Sequence, residues 1–173
     1  MKRVLSIFAL FMGIFLLAAC GGGENDPQGS KDNDKGGQQE ETAFAFQFSG
    51  NTITMNMASG ELLEKLGDPI SLFEAPSCAF DGMDKIYSYA GFELHNYTAS
   101  DKDYVSAVIL KDDSVSTKEG VYIGEAKDKV IDTYGEDYKD EDGAYAYYSA
   151  DSKLRFIFEE NEIVSIEYIA LEK

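Results

Sequence analysis

Cys78 and His95 are the pair in this chain whose side chains would do nucleophilic chemistry, since a thiol attacks as the thiolate and a histidine is the usual base that makes one. The neighbourhood argues against it. Cys78 is followed by Ala79, Phe80 and Asp81, and apolar or acidic neighbours raise a thiol's pKa, so it is expected to be a buried, inert side chain. His95 is the single histidine and alternates with Leu94 in a strand-like run, the pattern of a solvent-side or hydrogen-bonded residue. A lone histidine builds no Ser-His-Asp set, no Cys/His pair has zinc spacing, and no glycine-rich phosphate loop follows a strand. The chain therefore reads as no enzyme, with no cofactor.

Carboxylates and tyrosines are the other candidates. In Asp137-Tyr138-Lys139-Asp140-Glu141-Asp142-Gly143, the side chains of Asp137, Asp140 and Asp142 are the best set for a hard cation such as Ca²⁺. The run departs from an EF-hand, because Tyr138 stands where the first Asp is needed and no Glu closes it; a solvated turn with Asp142-Gly143 at its tip is the simpler reading. Asp101, Asp103, Asp112 and Asp113 are a weaker version of the same case. Tyr87, Tyr89, Tyr145 and Tyr147 fall on one strand face by period-two alternation. Exposed, their rings would form a recognition surface; packed under helices, they are core.

The elements that must position these groups follow from patterning. Phe44, Phe46 and Phe48, then Ser49-Gly50-Asn51, then Ile53, Met55 and Met57 read as a β-hairpin. Ser59 as cap, Leu62, Leu63 and Leu66 on one face, and the stop Gly67-Asp68-Pro69 read as a short helix. Lys85 to Tyr89, Phe92 to Tyr97 and Tyr104 to Leu110 read as three antiparallel strands. A second helix, Glu125 to Tyr134, stops at Gly135, and Ala144 to Tyr148, Leu154 to Phe158 and Ile163 to Ile169 supply three more strands. The expectation is an α+β domain of two tandem helix-strand-strand-strand repeats, with halves about 43–113 and 114–173, the helices on one face of an antiparallel sheet and the other face open. Gly67 to Tyr87 spans 20 positions but Gly135 to Tyr145 only 10, which puts the extra residues in a loop, Ile70 to Met83, containing Glu74 and Cys78.

The N-terminus sets the location. Lys2-Arg3, an apolar stretch from Val4 to Ala19 and small residues before Cys20 have the layout of a secretory signal over residues 1–19, and its sixteen residues fall short of the roughly 20 that span a bilayer. Gly21 to Thr42 has no aliphatic or aromatic residue beyond its glycines and is expected to be a disordered linker spanning on the order of 25 Å as a flexible coil. Residues 43–173 hold all eleven tyrosines and suit a single domain. Without the signal, 13 basic side chains face 32 acidic ones, a formal charge of −19, which disfavours nucleic acid and anionic head groups. Cys78 is then the one remaining thiol, so no internal disulfide forms and the fold rests on its core.

Leu17-Ala18-Ala19-Cys20 resembles a bacterial lipobox. That resemblance implies cleavage before Cys20, acyl chains such as palmitate on the new terminus, and anchoring at the extracytoplasmic face of the cell membrane. The helix ending Leu66-Gly67-Asp68-Pro69 with a downstream Tyr-x-Tyr strand resembles the repeats of β-lactamase-inhibitor-protein-like lipoproteins over about residues 51 to 170, and the helix ending also resembles small outer-membrane assembly lipoproteins. Glu74 to Phe80 and Ile123 to Ile131 are similar to uncharacterised Clostridia-type lipoproteins, from which no activity follows. The first family implies protein binding through a sheet face, with no contact residue carried over. The expected function is thus a surface-anchored, non-catalytic module that binds an envelope or extracellular protein through the open sheet face and the Ile70 to Met83 loop. The candidate contacts are Tyr87, Tyr89, Tyr145, Tyr147, Glu74 and Cys78, and the alternative is a calcium- or small-ligand-binding lipoprotein.

Overall fold

Aromatic and branched residues alternate with polar ones from Met83 to Leu110 and again from Ala144 to Ala170, and these stretches fold as long strands. The computed structural model describes residues 43–77 and 82–171. The expected signal, the linker with Cys20, and Cys78 lie outside them. In chain order the elements are β1 (Ala45–Phe48), β2 (Asn51–Thr54), α1 (Gly60–Leu66), β3 (Ser71–Pro76), β4 (Met83–Tyr89), β5 (Phe92–Ala99), β6 (Lys102–Leu110), α2 (Lys127–Tyr134), β7 (Lys139–Glu141), β8 (Ala144–Tyr148), β9 (Ser152–Glu159) and β10 (Glu162–Ala170). β1 and β2 pair as the expected hairpin, and the other eight strands form one antiparallel sheet in the order β3-β4-β5-β6-β10-β9-β8-β7.

This corrects the α+β expectation of two helix-strand-strand-strand repeats. Strand takes 52% and helix 12% of the described residues, so the domain is mostly β, built on one large antiparallel sheet with two short helices. Each expected trio of strands also carries a fourth. Ser71–Pro76, inside the stretch read as a loop, is β3, and Lys139–Glu141, read as part of a turn, is β7. These are the two edges of the sheet, where a strand is wet on several sides and shows no apolar alternation to read.

Register sorts the side chains into two faces. Leu72, Tyr87, Leu94, Val108, Tyr168, Leu154 and Tyr147 are successive cross-strand partners, and Tyr89, Phe92, Leu110, Ile166, Phe156 and Tyr145 form the next row on the same face. Against these rows pack Phe46 and Ile53 of the β1–β2 hairpin, Leu62 of α1, Val121 of the segment before α2, and Val130 of α2, all in one core cluster. Phe46 is fully buried, its ring centroid 5.1 Å from that of Phe92 and 5.9 Å from that of Tyr168.

The helix ends are tied to this core by tyrosines. Gly67 (φ 77°, ψ −166°) and Gly135 (φ 83°, ψ −173°) end α1 and α2 in backbone space that is essentially reserved for glycine. The Gly67 carbonyl accepts from the Tyr89 hydroxyl at 3.3 Å, and the Gly135 carbonyl from the Tyr147 hydroxyl at 2.7 Å. At the start of α1 the expected serine cap is absent. The Ser59 hydroxyl is engaged instead by Asn96 Nδ2 at 2.7 Å and donates to the Asp103 carbonyl at 3.2 Å, which fastens the helix start to β5 and β6.

Candidate functional site

Among the described residues, the opposite face of the sheet is the one that neither helix nor the β1–β2 hairpin packs against. One row runs Phe73, Ile86, His95, Ala107, Ile169, Lys153, Tyr148, and a second runs Ser88, Glu93, Ile109, Glu167, Arg155, Ala146. None of these residues belongs to the contiguous core cluster or to the side chains packed against it, and Ala146 alone among them is fully buried. The face divides in two. Across β7 to β10, Lys153 Nζ lies 2.8 Å from Glu141 Oε2, Arg155 Nε 3.8 Å from the same oxygen, and Arg155 Nη1 3.5 Å from Glu167 Oε2, while the Tyr148 hydroxyl donates to Glu141. The Lys153 and Tyr148 hydrogen bonds hold the Glu141 carboxyl below its ordinary pKa. Across β4 to β6 the same face is more apolar, with Ile86, Ala107 and Ile109 around Glu93, which meets His95 and Lys111 at 3.5 Å each. Ion pairs in contact with water contribute about 0–1 kcal/mol, so the ladder organises a surface more than it stabilises the domain.

At the far end of the β3–β4 hairpin, Lys85 Nζ lies 2.7 Å from Asp103 Oδ2 and 3.8 Å from Glu74 Oε1, and the Thr98 hydroxyl donates to Asp103 Oδ1 at 2.6 Å. Burial opposes ionisation of Asp103, but the Lys85 and Thr98 hydrogen bonds outweigh it and hold the carboxyl below its ordinary value; bonding to Asp103 in turn raises Lys85. A carboxyl lowered in the fold contributes stability that is present above the unfolded-chain pKa of about 3.9 and is lost as pH falls through the folded value. Asp103→Asn is accordingly expected to make the urea midpoint less sensitive to pH between 5 and 3, a comparison that equal slopes for variant and parent would contradict.

The structure places the sequence candidates as follows. Tyr89, Tyr145 and Tyr147 are buried and Tyr87 is half-buried, so the tyrosine row is the helix-covered face and supplies core. Tyr145 stacks on Tyr138 with centroids 3.6 Å apart and carries the Lys127 ammonium 4.1 Å from its ring. The Tyr138 and Lys127 hydrogen bonds hold its phenol below the ordinary value, whereas burial pushes Tyr147 up to about 12. Asp140 Oδ1 accepts from the Gly143 amide at 2.8 Å, Asp142 sits at the turn tip with φ 56°, and Asp137 is exposed. Among the described residues no group of three or more His, Cys, Asp or Glu is placed to hold a metal ion. Glu74 lies on an edge strand rather than in a loop.

Two features escaped the sequence. Ile70, Leu72 and Phe73 are 76%, 48% and 60% exposed on and beside β3, and the acid-base ladder crosses four strands. A signal for the second exists: Lys153 and Arg155 alternate with Leu154 and Phe156, which puts both cations on one face.

No family model matches the chain, and no curated protein matches it. A solved structure with a similar fold is the 1.5 Å crystal structure of an extracellular protein containing an SCP domain from Bacillus anthracis str. Ames, with a TM-score of 0.52 and 17% sequence identity over 71% of this chain. The chain spans 47% of that protein's length, and the likeness is one of fold alone. Among the described residues no helix is long and apolar enough to cross a membrane.

Proposed function

We propose that this chain is a lipid-anchored, non-catalytic binding module at the extracytoplasmic face of the cell membrane, taking a protein or cell-envelope partner on the open face of its sheet. The observation that carries the reading is the face itself: two register rows spanning β4 to β8, with an ion-pair ladder on one part and the half-buried Ile86, Ala107 and Ile109 on the other, these three outside the core cluster. Mixed apolar and charged surfaces of this kind suit protein recognition, where apolar contacts anchor and charges select. The Leu17-Ala18-Ala19-Cys20 run supports the anchor. The protein of similar fold is an extracellular one, on the side of the membrane that this reading assigns to the domain.

Cell fractionation and in-cell crosslinking test both parts. The parent chain is expected in the membrane fraction and Cys20→Ser in the medium, while Ile109→Glu, which charges the apolar part of the face at a partly exposed position, is expected to keep the circular dichroism of the parent and lose most crosslinks to the partner. Membrane retention of Cys20→Ser would remove the anchor. Crosslinks unchanged by Ile109→Glu would remove the face.

A further inference from the structure

We propose that the outer edge of β3 takes an extended basic peptide segment as an added strand; this deepens the binding-module reading, on which it rests, by naming the partner's chemistry. The sheet has two edges of different character. β7 is three residues long and wholly charged, the kind of edge that resists further pairing. β3 is six residues long, and among the described residues β4 is its single strand partner. Ile70, Leu72 and Phe73 are three of the exposed large hydrophobics of the domain, gathered within four positions. Leu72 and Phe73 point to opposite faces, so an added strand would find an apolar neighbour on each side of the sheet. β3 itself carries no Lys, and its proline stands at the last position. An edge with free backbone groups and alternate apolar contacts is the template for strand addition.

Charge selects the occupant. Glu74 lies at the middle of β3 with its side chain half-exposed, and Asp84, the register partner of Ala75, presents a carboxylate on the other face. Lys85, in register with Glu74, lies 2.7 Å from Asp103 and 3.8 Å from Glu74, so one ammonium is shared between two carboxylates and the edge stays net negative. The chain from Cys20 onward carries a formal charge of −19, which opposes pairing with a second copy and attracts cations. A strand alternating basic and apolar residues satisfies the edge, the apolar contacts and the carboxylates together.

The test is titration of the secreted Cys20→Ser chain with a capped six-residue peptide of alternating lysine and valine, followed by amide chemical shifts. Saturable shifts are expected along Ile70–Ala75, weakening with salt, and the alternating glutamate-valine peptide is expected to bind at least about tenfold more weakly. Leu72→Lys with Phe73→Lys is expected to abolish the shifts while circular dichroism is unchanged. Should that pair disturb folding, the surface change Glu74→Lys serves, and it is expected to narrow the preference for the basic peptide. No saturable binding of the basic peptide, or a concentration-dependent dimer through β3, would overturn the proposal. Saturable shifts confined to the Ile86–Ile109 region would overturn it while leaving the binding-module reading standing.

Discussion

Phe46→Ala is expected to lower the unfolding free energy by about 3–5 kcal/mol, the cost of truncating a fully buried phenylalanine in a core that cannot close around the gap. The ring belongs to a four-residue strand in a two-stranded hairpin, an arrangement with little stability of its own. What holds the hairpin is its docking. Phe46 packs on Phe92 of β5 and Tyr168 of β10, its register partner Ile53 is equally buried, and Phe48 meets Phe92 at 4.7 Å. Removing the ring therefore opens a void against a rigid sheet and loosens the element that covers it. Urea unfolding of the variant measures the effect, and Phe44→Ala, at a half-buried position in the same segment, is expected to cost less than half as much. A loss below about 1 kcal/mol for Phe46→Ala would mean that the hairpin is not part of the cooperative unit.

Gly91→Ala is the second large effect. Gly91 closes the β4–β5 turn at φ 83°, where an alanine is strained by about 1–3 kcal/mol. Its missing side chain is also a packing requirement: a Cβ there would press on Ser114 Oγ and lie 3.0 Å from Val115 Cγ1 and 3.1 Å from Asp112 Oδ1. Those atoms belong to a turn in which Asp112 Oδ1 accepts from both the Ser114 amide, at 2.9 Å, and the Ser114 hydroxyl, so turning that hydroxyl away from the new Cβ gives up its bond to Asp112. Overpacking adds about 1–3 kcal/mol. Gly50→Ala, at φ 80° with open space around it, isolates the backbone part. Thermal melts of the two variants should differ by the packing contribution, and equal losses would show that the Ser114 turn adapts freely.

Patterning located both helices, the N-terminal hairpin and six of the sheet strands, because Gly67 and Gly135 mark clear stops and the central strands alternate cleanly between a wet and a dry side. It failed where that contrast vanishes. Ser71–Pro76 is exposed at nearly every position and Lys139–Glu141 contains no apolar residue, so neither edge strand carries a period. Counting those strands as loop and turn is what gave the helices, seven and eight residues long, too much weight in the fold class. Alternation also put the four tyrosines on one face without saying which face is covered. The answer depends on where Phe46, Leu62 and Val130 land, and the Phe46 contacts with Phe92 and Tyr168 join residues more than forty positions apart.

The strand order has a consequence for how the chain is made. β10, the last of the described strands, sits in the middle of the sheet between β6 and β9, and Tyr168 near its end lies under Phe46 from the opposite end of the described domain. A ribosome delivers this strand after the other nine described here, so until Glu162–Ala170 emerges the two strand groups on either side have no seam to join and the hairpin lacks part of its floor. A stop codon placed just before Glu162 would leave every other described strand in the chain and still remove the seam at the centre of the sheet.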